Sequence, residues 1–203
     1  KVETTDTIAQ PLQENTVSAI QKSEDNTYDF RYNLEKGKTY PITLAVKGVH
    51  TASDGAKNVK MTNQSKKTIE YTVKDITNGI YTLEVKSKQY SEKMTDPTGK
   101  AISYDTNSAK PTDKDVAFTW NIYKAMIGKV YTIKVNEKGK VIAVDGLDAI
   151  RKQIESSVKG QLSAEEQKFV GEMLKNSLNK EVISAQFEET MNIYPDKKLK
   201  LNE

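Results

Sequence analysis

Across residues 128–161 the spacing of apolar positions changes from every second residue to every third or fourth. That change restricts the fold more than any other feature of the chain. Tyr131, Ile133 and Val135 alternate with Thr132, Lys134 and Asn136, the pattern of a strand with one buried face. Glu137-Lys138-Gly139-Lys140 makes a tight turn, and residues 141–144 resume as a short strand. After Asp145-Gly146, the residues Leu147, Ile150, Arg151, Ile154 and Val158 fall on one helical stripe. Asp148 lies in the first turn, where a carboxylate suits the helix dipole, and Gly160 is placed to end the helix. A strand-rich front meets a helix-rich back at this joint.

The front repeats the same grammar. Tyr28, Phe30, Tyr32 and Leu34 face one way and Asp29, Arg31 and Asn33 the other. Glu35-Lys36-Gly37-Lys38 is read as a turn into a partner strand with Tyr40, Ile42, Leu44 and Val46 on its apolar face. Pro41 cannot donate to a ladder, so that strand is expected at an edge or a bulge. Residues 49–65 read as a long polar hairpin connection, which Val59 and Met61 extend as strand at most. Ile69, Tyr71 and Val73 lead to Asn78-Gly79, the strongest hairpin signal present, and Tyr81, Leu83 and Val85 follow towards Tyr90 or Met94. Asp96-Pro97-Thr98-Gly99 is a further turn before a short strand at 101–104.

Residues 115–127 carry two signals. The spacing of Val116, Trp120, Tyr123 and Ile127 predicts a helix capped by Thr112 or Asp113, against a β-rich content of Phe118, Thr119, Trp120, Ile122 and Tyr123. The back is plainer. Ser163 and Glu166 form a capping box ahead of a stripe of Phe169, Val170, Met173, Leu174 and Leu178, with an interruption at Asn176 or Asn179. Val182, Ile183, Phe187, Met191 and Tyr194 extend the helical period to Pro195. Leu199 and Leu201 alternate like the start of another strand.

Strands with one apolar face need a cover, and the back helices supply it. The expected fold is therefore α+β: a twisted antiparallel sheet, curved towards a half-barrel, with two to three C-terminal helices over one face. Residues 1–26 read as a polar tether and 27–203 as a single domain, mostly strands over 27–145 and helices over 146–195.

Composition narrows the function classes. The net charge is +3, but Arg31 and Arg151 are the only arginines, and the lysines are interleaved with acids. Nothing concentrates charge for a phosphate backbone, so nucleic acid is not an expected partner. The chain has no cysteine, which removes disulfides, thiolate metal sites and cysteine nucleophiles. No run approaches the ~20 apolar residues of a spanning helix. Membrane association is expected only through a lipid anchor lying outside this chain.

Candidate chemistry is sparse. His50 has Asp54 nearby but no catalytic or metal-ligand spacing, and reads as an exposed loop residue. Asp145 and Asp148 sit where strand gives way to helix and are the best candidates for paired carboxylates, against turn and helix-start roles. Lys36-Gly37-Lys38 and Lys138-Gly139-Lys140 are flanked by strands, so they read as hairpin turns and not as phosphate cradles. No catalytic residue, metal or cofactor is implied. The tyrosines are the remaining feature. By parity Tyr28, Tyr32, Tyr40, Tyr71, Tyr81 and Tyr131 face inward, either as ordinary sheet core or as the lining of a cavity. Tyr32, Tyr40, Tyr71, Tyr81, Tyr131 and Trp120 are the candidate ligand-binding residues.

Several stretches together resemble a family of bacterial envelope proteins of unknown function. They are residues 30–40 (FRYNLEKGKTY), Val73-Lys74-Asp75 with Asn78-Gly79, Ile127-Gly128-Lys129, residues 135–146 (VNEKGKVIAVDG), and Tyr194-Pro195-Asp196-Lys197. The resemblance covers residues 28–200, and its motifs are turns and strand ends, informative on fold and silent on catalysis. It implies an exported protein, often a lipoprotein of Gram-negative bacteria, placed in the periplasm or at the outer membrane. It also implies that the Tyr-Pro-Asp-Lys segment leads into more sheet than the chain contains before Glu203. The function expected from residues and resemblance is non-enzymatic binding of an apolar or amphipathic molecule, such as a lipid, between sheet and helices. A structural module that docks another envelope protein is the alternative, and a hydrolase using Asp145 and Asp148 the third reading.

Overall fold

Turn chemistry and strand parity together build the sheet. Asn78 and Gly79 both take positive φ, +51° and +74°, the pair required by a two-residue hairpin turn whose twist matches its strands. That turn joins β4 (Asn58–Thr77) to β5 (Ile80–Thr95) in a computed structural model describing residues 19–53, 58–95 and 98–201. Asp54, Asp96 and Pro97, most of the stretch read as a tether, and the last two residues lie outside the described residues.

With β3 (Thr39–Ser53), β6 (Ala101–Asp105), β7 (Val130–Asn136) and β8 (Val141–Asp145), these strands form a six-stranded antiparallel sheet. Its order is β3-β4-β5-β7-β8. The far half of β5 pairs with β6 and the near half with β7. Among the described residues the sheet does not close into a barrel; β3 is its edge, and Pro41 sits on it, opposite Glu70.

One face of the sheet is covered by helices. Val73, Leu83, Val85, Ile133 and Val135 project from the strands, each at most 2% exposed. They meet Ile150, Ile154 and Val158 of α2 (Leu147–Val158), Val170 and Leu174 of α3 (Ala164–Ser177), and Ile183 and Phe187 of α4 (Lys180–Met191). The predicted α2 stripe is the buried one, and a short 3-10 turn at Lys159–Gln161 follows it. The capping box is present: Glu166 N–H donates to Ser163 Oγ (3.3 Å), and Ser163 N–H donates to the Glu166 carboxylate (2.7 Å). Asn179 is the interruption, capping α4 through Val182 N–H. The ambiguous stretch is helical: α1 (Lys114–Met126) starts at Asp113, whose carboxylate accepts from Asp115 and Val116 N–H. The fold class is α+β, as expected.

Three local expectations are corrected. Residues 28–34 do not pair with β3. Instead β2 (Thr27–Phe30) lies in a separate three-stranded sheet between β1 (Ile20–Lys22), inside the stretch read as a tether, and β9 (Leu199–Lys200). Half-buried charge explains the choice. Lys138 pairs with Asp29 and donates to the Phe30 carbonyl, while Arg31 bridges Asp29 and Glu137. Tyr32 N–H also donates to the Glu137 carbonyl at 2.7 Å, so this segment is fastened to the β7–β8 turn. Secondly, residues 49–53 continue β3, with His50 opposite Met61, and are not loop. Cross-strand threonine pairs, Thr39 with Thr72 and Thr43 with Thr68, favour the long ladder. Thirdly, α4 ends at Met191 and not at Pro195, and Tyr194 packs edge-on to Tyr32.

Candidate functional site

The register places Tyr40, Tyr71, Val85 and Tyr131 side by side in one row across four strands, on the helix-covered face. The helices fill the space above them. Tyr71 is buried and edge-on to Phe187, and Tyr81 is buried with its hydroxyl donating to the Tyr32 carbonyl (2.8 Å). Tyr32 in turn donates to the Met191 carbonyl (2.6 Å). Tyr40 accepts from Glu35 N–H, and Tyr131 is half-buried against the core. Trp120 is on α1, its indole N–H donating to the Asp105 carbonyl, with Lys124 over its ring. None of the six lines the hollow described below.

Burial raises the phenols of this row. Tyr71 is pushed up to about 12 and Tyr131 also rises, first through burial and then through Tyr71 two strands away in the row. An unfolded phenol titrates near 10, so above that pH the unfolded chain holds fewer protons than the folded one. Stability from Tyr71 is complete below about pH 10 and is lost as pH rises towards 12. Tyr71→Phe, which keeps the ring, is expected to shrink the drop in urea midpoint between about pH 9 and about pH 11. An undiminished drop would mean that Tyr71 ionises as freely in the folded chain as in the unfolded one.

Beyond this row the cover stops short. The register shifts between Thr68 and Ile69, where β5 carries an extra residue, so Tyr90 turns to the helix-covered face. The next row on this face is Ile42, Ile69 and Ser87, and the one after it Leu44, Lys67 and Tyr90. Above it a cleft of about 680 Å³ opens between the sheet, the C-terminal end of α1, and the facing parts of α3 and α4. Leu44, Met126, Ile127, Met173, Leu178 and Ile183 supply its apolar wall, and Ser65, Ser87 and Ser177 its hydroxyls. Tyr90 and Tyr123 close one side. Their rings stack at 3.8 Å, 8° from parallel, and Tyr104 adds to the stack with its hydroxyl donating to Glu92 (2.8 Å).

Lys67 is the one cation among the described residues lining this cleft, and Glu189, exposed on α4, the one carboxylate. Burial pulls the half-buried Lys67 ammonium below the usual lysine range, and no hydrogen bond or charge among the described residues offsets that. A hollow of similar volume on the other face of the sheet is bounded by Lys47, Lys66, Lys93, Glu92 and Asp105, and has no comparable apolar wall.

Sequence reasoning passed over this cleft. Its one visible signal is parity: Lys67 stands two residues before Ile69, on the same face as Tyr71 and Val73, where a lysine is out of place. Tyr90 gave none, because the bulge reverses its face. Asp145 and Asp148 are exposed, line no described hollow, and Asp148 pairs with Arg151. Among the described residues no three His, Asp or Glu side chains gather as metal ligands would, and no helix is long and apolar enough to cross a membrane.

A family model described as "Family of unknown function (DUF6263)" matches residues 78–203, from the β4–β5 turn through α1, α2, α3 and α4. No curated protein and no solved structure matches the chain. The match covers more than half of the 203 residues, so the chain belongs to the DUF6263 family, a family of unknown function.

Proposed function

We propose that this protein is a non-enzymatic binding protein of the cell envelope that holds an apolar or amphipathic small molecule between its sheet and its helices. The cleft over Leu44, Lys67 and Tyr90 carries this reading. Its volume of about 680 Å³ lies within the range of small-molecule sites, roughly 300–1,000 Å³, and aliphatic and thioether groups dominate its wall. Met126 and Met173 suit a ligand of loose shape, since an unbranched thioether adapts to irregular surfaces. The aromatic row is the rigid floor beside the site, not its lining. Export rests on the resemblance to envelope proteins.

The test uses N-phenyl-1-naphthylamine, a neutral fluorophore that brightens in apolar surroundings. Saturable brightening is expected with the wild type and not with Ser177→Trp, which puts an indole into the cleft. Mass spectrometry of solvent extracts of the purified protein should return a bound amphiphile. No brightening together with an empty extract would sink the binding reading. Fractionating cells that express the uncut gene product tests the compartment, and a purely cytoplasmic pool would overturn it.

One observation favours a second reading, a docking module. β3 is a fifteen-residue edge strand with Val46 and Val49 64% and 54% exposed, a template for a strand from another protein. Cross-linking at Val49 in envelope fractions tests it, and the absence of a discrete adduct would remove it.

A further inference from the structure

Lys67 lies in a place where a lysine is costly. It sits between Leu44 and Tyr90 in its row, next to the Ile42–Ile69 pair, on the face the helices cover. Lysines elsewhere on the sheet meet a carboxylate, as Lys74 does Glu84 and Lys88 does Glu70, or lie exposed to solvent, as Lys66 and Lys93 do. Lys67 meets no carboxylate among the described residues, and it is half-buried at the floor of a cleft whose wall is mainly apolar. A charge in that position is stabilised most by an opposite charge brought in from outside. Glu189, the carboxylate on the same cleft, belongs to the solvent-facing rim and makes no ion pair with Lys67.

We propose that the occupant of the cleft is a single-chain carboxylate amphiphile, a fatty-acid-type molecule whose anionic head rests on Lys67 and whose chain lies along Met126, Ile127, Met173, Leu178 and Ile183. This deepens the binding reading above and depends on it. The serine hydroxyls of Ser65 and Ser87 flank Lys67 along β4 and across on β5, and supply further donors for a carboxylate. The apolar wall explains why the head alone would not be enough. A small free anion gains the contact with Lys67 but none of the burial. A neutral chain gains the burial but leaves the ammonium without a partner. The lowered affinity of Lys67 for its proton fits a site whose second charge arrives with the ligand.

The experiment is displacement of N-phenyl-1-naphthylamine by three ten-carbon chains below their micelle concentrations: decanoate, decanol and decyltrimethylammonium. In the wild type decanoate is expected to displace about tenfold more tightly than decanol, the size expected of one charge-assisted hydrogen bond. The cation should be weakest. Lys67→Met should still bind the fluorophore, which reports an intact cleft, but lose the preference for decanoate. Lys67→Arg should keep it, and so should Glu189→Gln. Equal displacement by decanoate and decanol in the wild type, with the fluorophore bound, overturns the anion proposal and leaves the cleft reading standing. A preference that survives in Lys67→Met overturns the assignment to Lys67. No fluorophore signal and no calorimetric heat with decanoate would overturn both.

Discussion

Leu174→Ala is expected to lower the free energy of unfolding by about 3–5 kcal/mol, the upper range for a large-to-small change at a site that cannot collapse. Leu174 has 0% exposure and is one of two buried residues on α3, the other being Val170. It belongs to one buried cluster with Ile154 and Val158 of α2, Leu178 just past the end of α3, and the inward residues of the sheet. The cavity would therefore be lined by groups with little freedom to move in. Phe169→Ala is the control on the same helix. Phe169 is 56% exposed, so its loss should stay within about 0.5 kcal/mol. Urea unfolding followed by circular dichroism and by fluorescence of the single tryptophan, Trp120, gives both values. Because Met173 and Ser177 of α3 line the cleft, Leu174→Ala should also weaken fluorophore binding. Equal costs for the two variants would refute this account of the core.

The second large effect is expected at Gly139, in the turn between β7 and β8. Its φ is +91°, and a Cβ there would overlap the Met191 carbonyl and come within 3.0 Å of the Tyr32 ring. The same carbonyl accepts the Tyr32 hydroxyl, and Asn136 Oδ1 accepts from Lys138 and Lys140 N–H inside the turn. Gly139→Ala thus adds left-handed strain and displaces a half-buried hydrogen bond, for a total of about 2–4 kcal/mol. Gly37→Ala separates the two causes. Gly37 has φ +84° but nothing within 4 Å of an added Cβ, so only the strain of about 1–2 kcal/mol applies. If the two glycines cost the same, the close packing of this turn on the end of α4 contributes nothing to stability.

That turn also shows how far the chain could be read without coordinates. Gly139 was legible as a turn residue from Asn136 to Lys140 alone. Its second role, letting α4 and Tyr32 close on the hairpin, depends on residues more than 50 positions later and over 100 positions earlier, and left no local mark. The tyrosines behave alike. Parity correctly turned Tyr71 and Tyr81 inward, but no spacing rule tells whether a helix residue such as Phe187 fills the space above them. It does, so the open cleft lies two rows further along, at Lys67 and Tyr90. Parity also failed for Tyr90, because one extra residue in a strand reverses every face beyond it.

What the sequence by itself determined is whatever depends on neighbours within one or two turns of chain. That includes the strand faces of β4 from Ile69, of β5 as far as Val85 and of β7, the Asn78-Gly79 hairpin, the Ser163 capping box and the buried stripe of α2. These follow from backbone geometry and from hydrogen bonds between residues no more than four apart. Only the tertiary structure decided which strands pair and where the cover ends. The half-buried charges of Asp29, Arg31 and Lys138 draw β2 away from β3. Thr27 and Tyr28 find Lys200 and Leu199 at the far end of the chain. The helices reach the Tyr71 row but not the Lys67 row. Each of those outcomes is a competition among surfaces distant in sequence, decided by burial and charge and not by any local pattern.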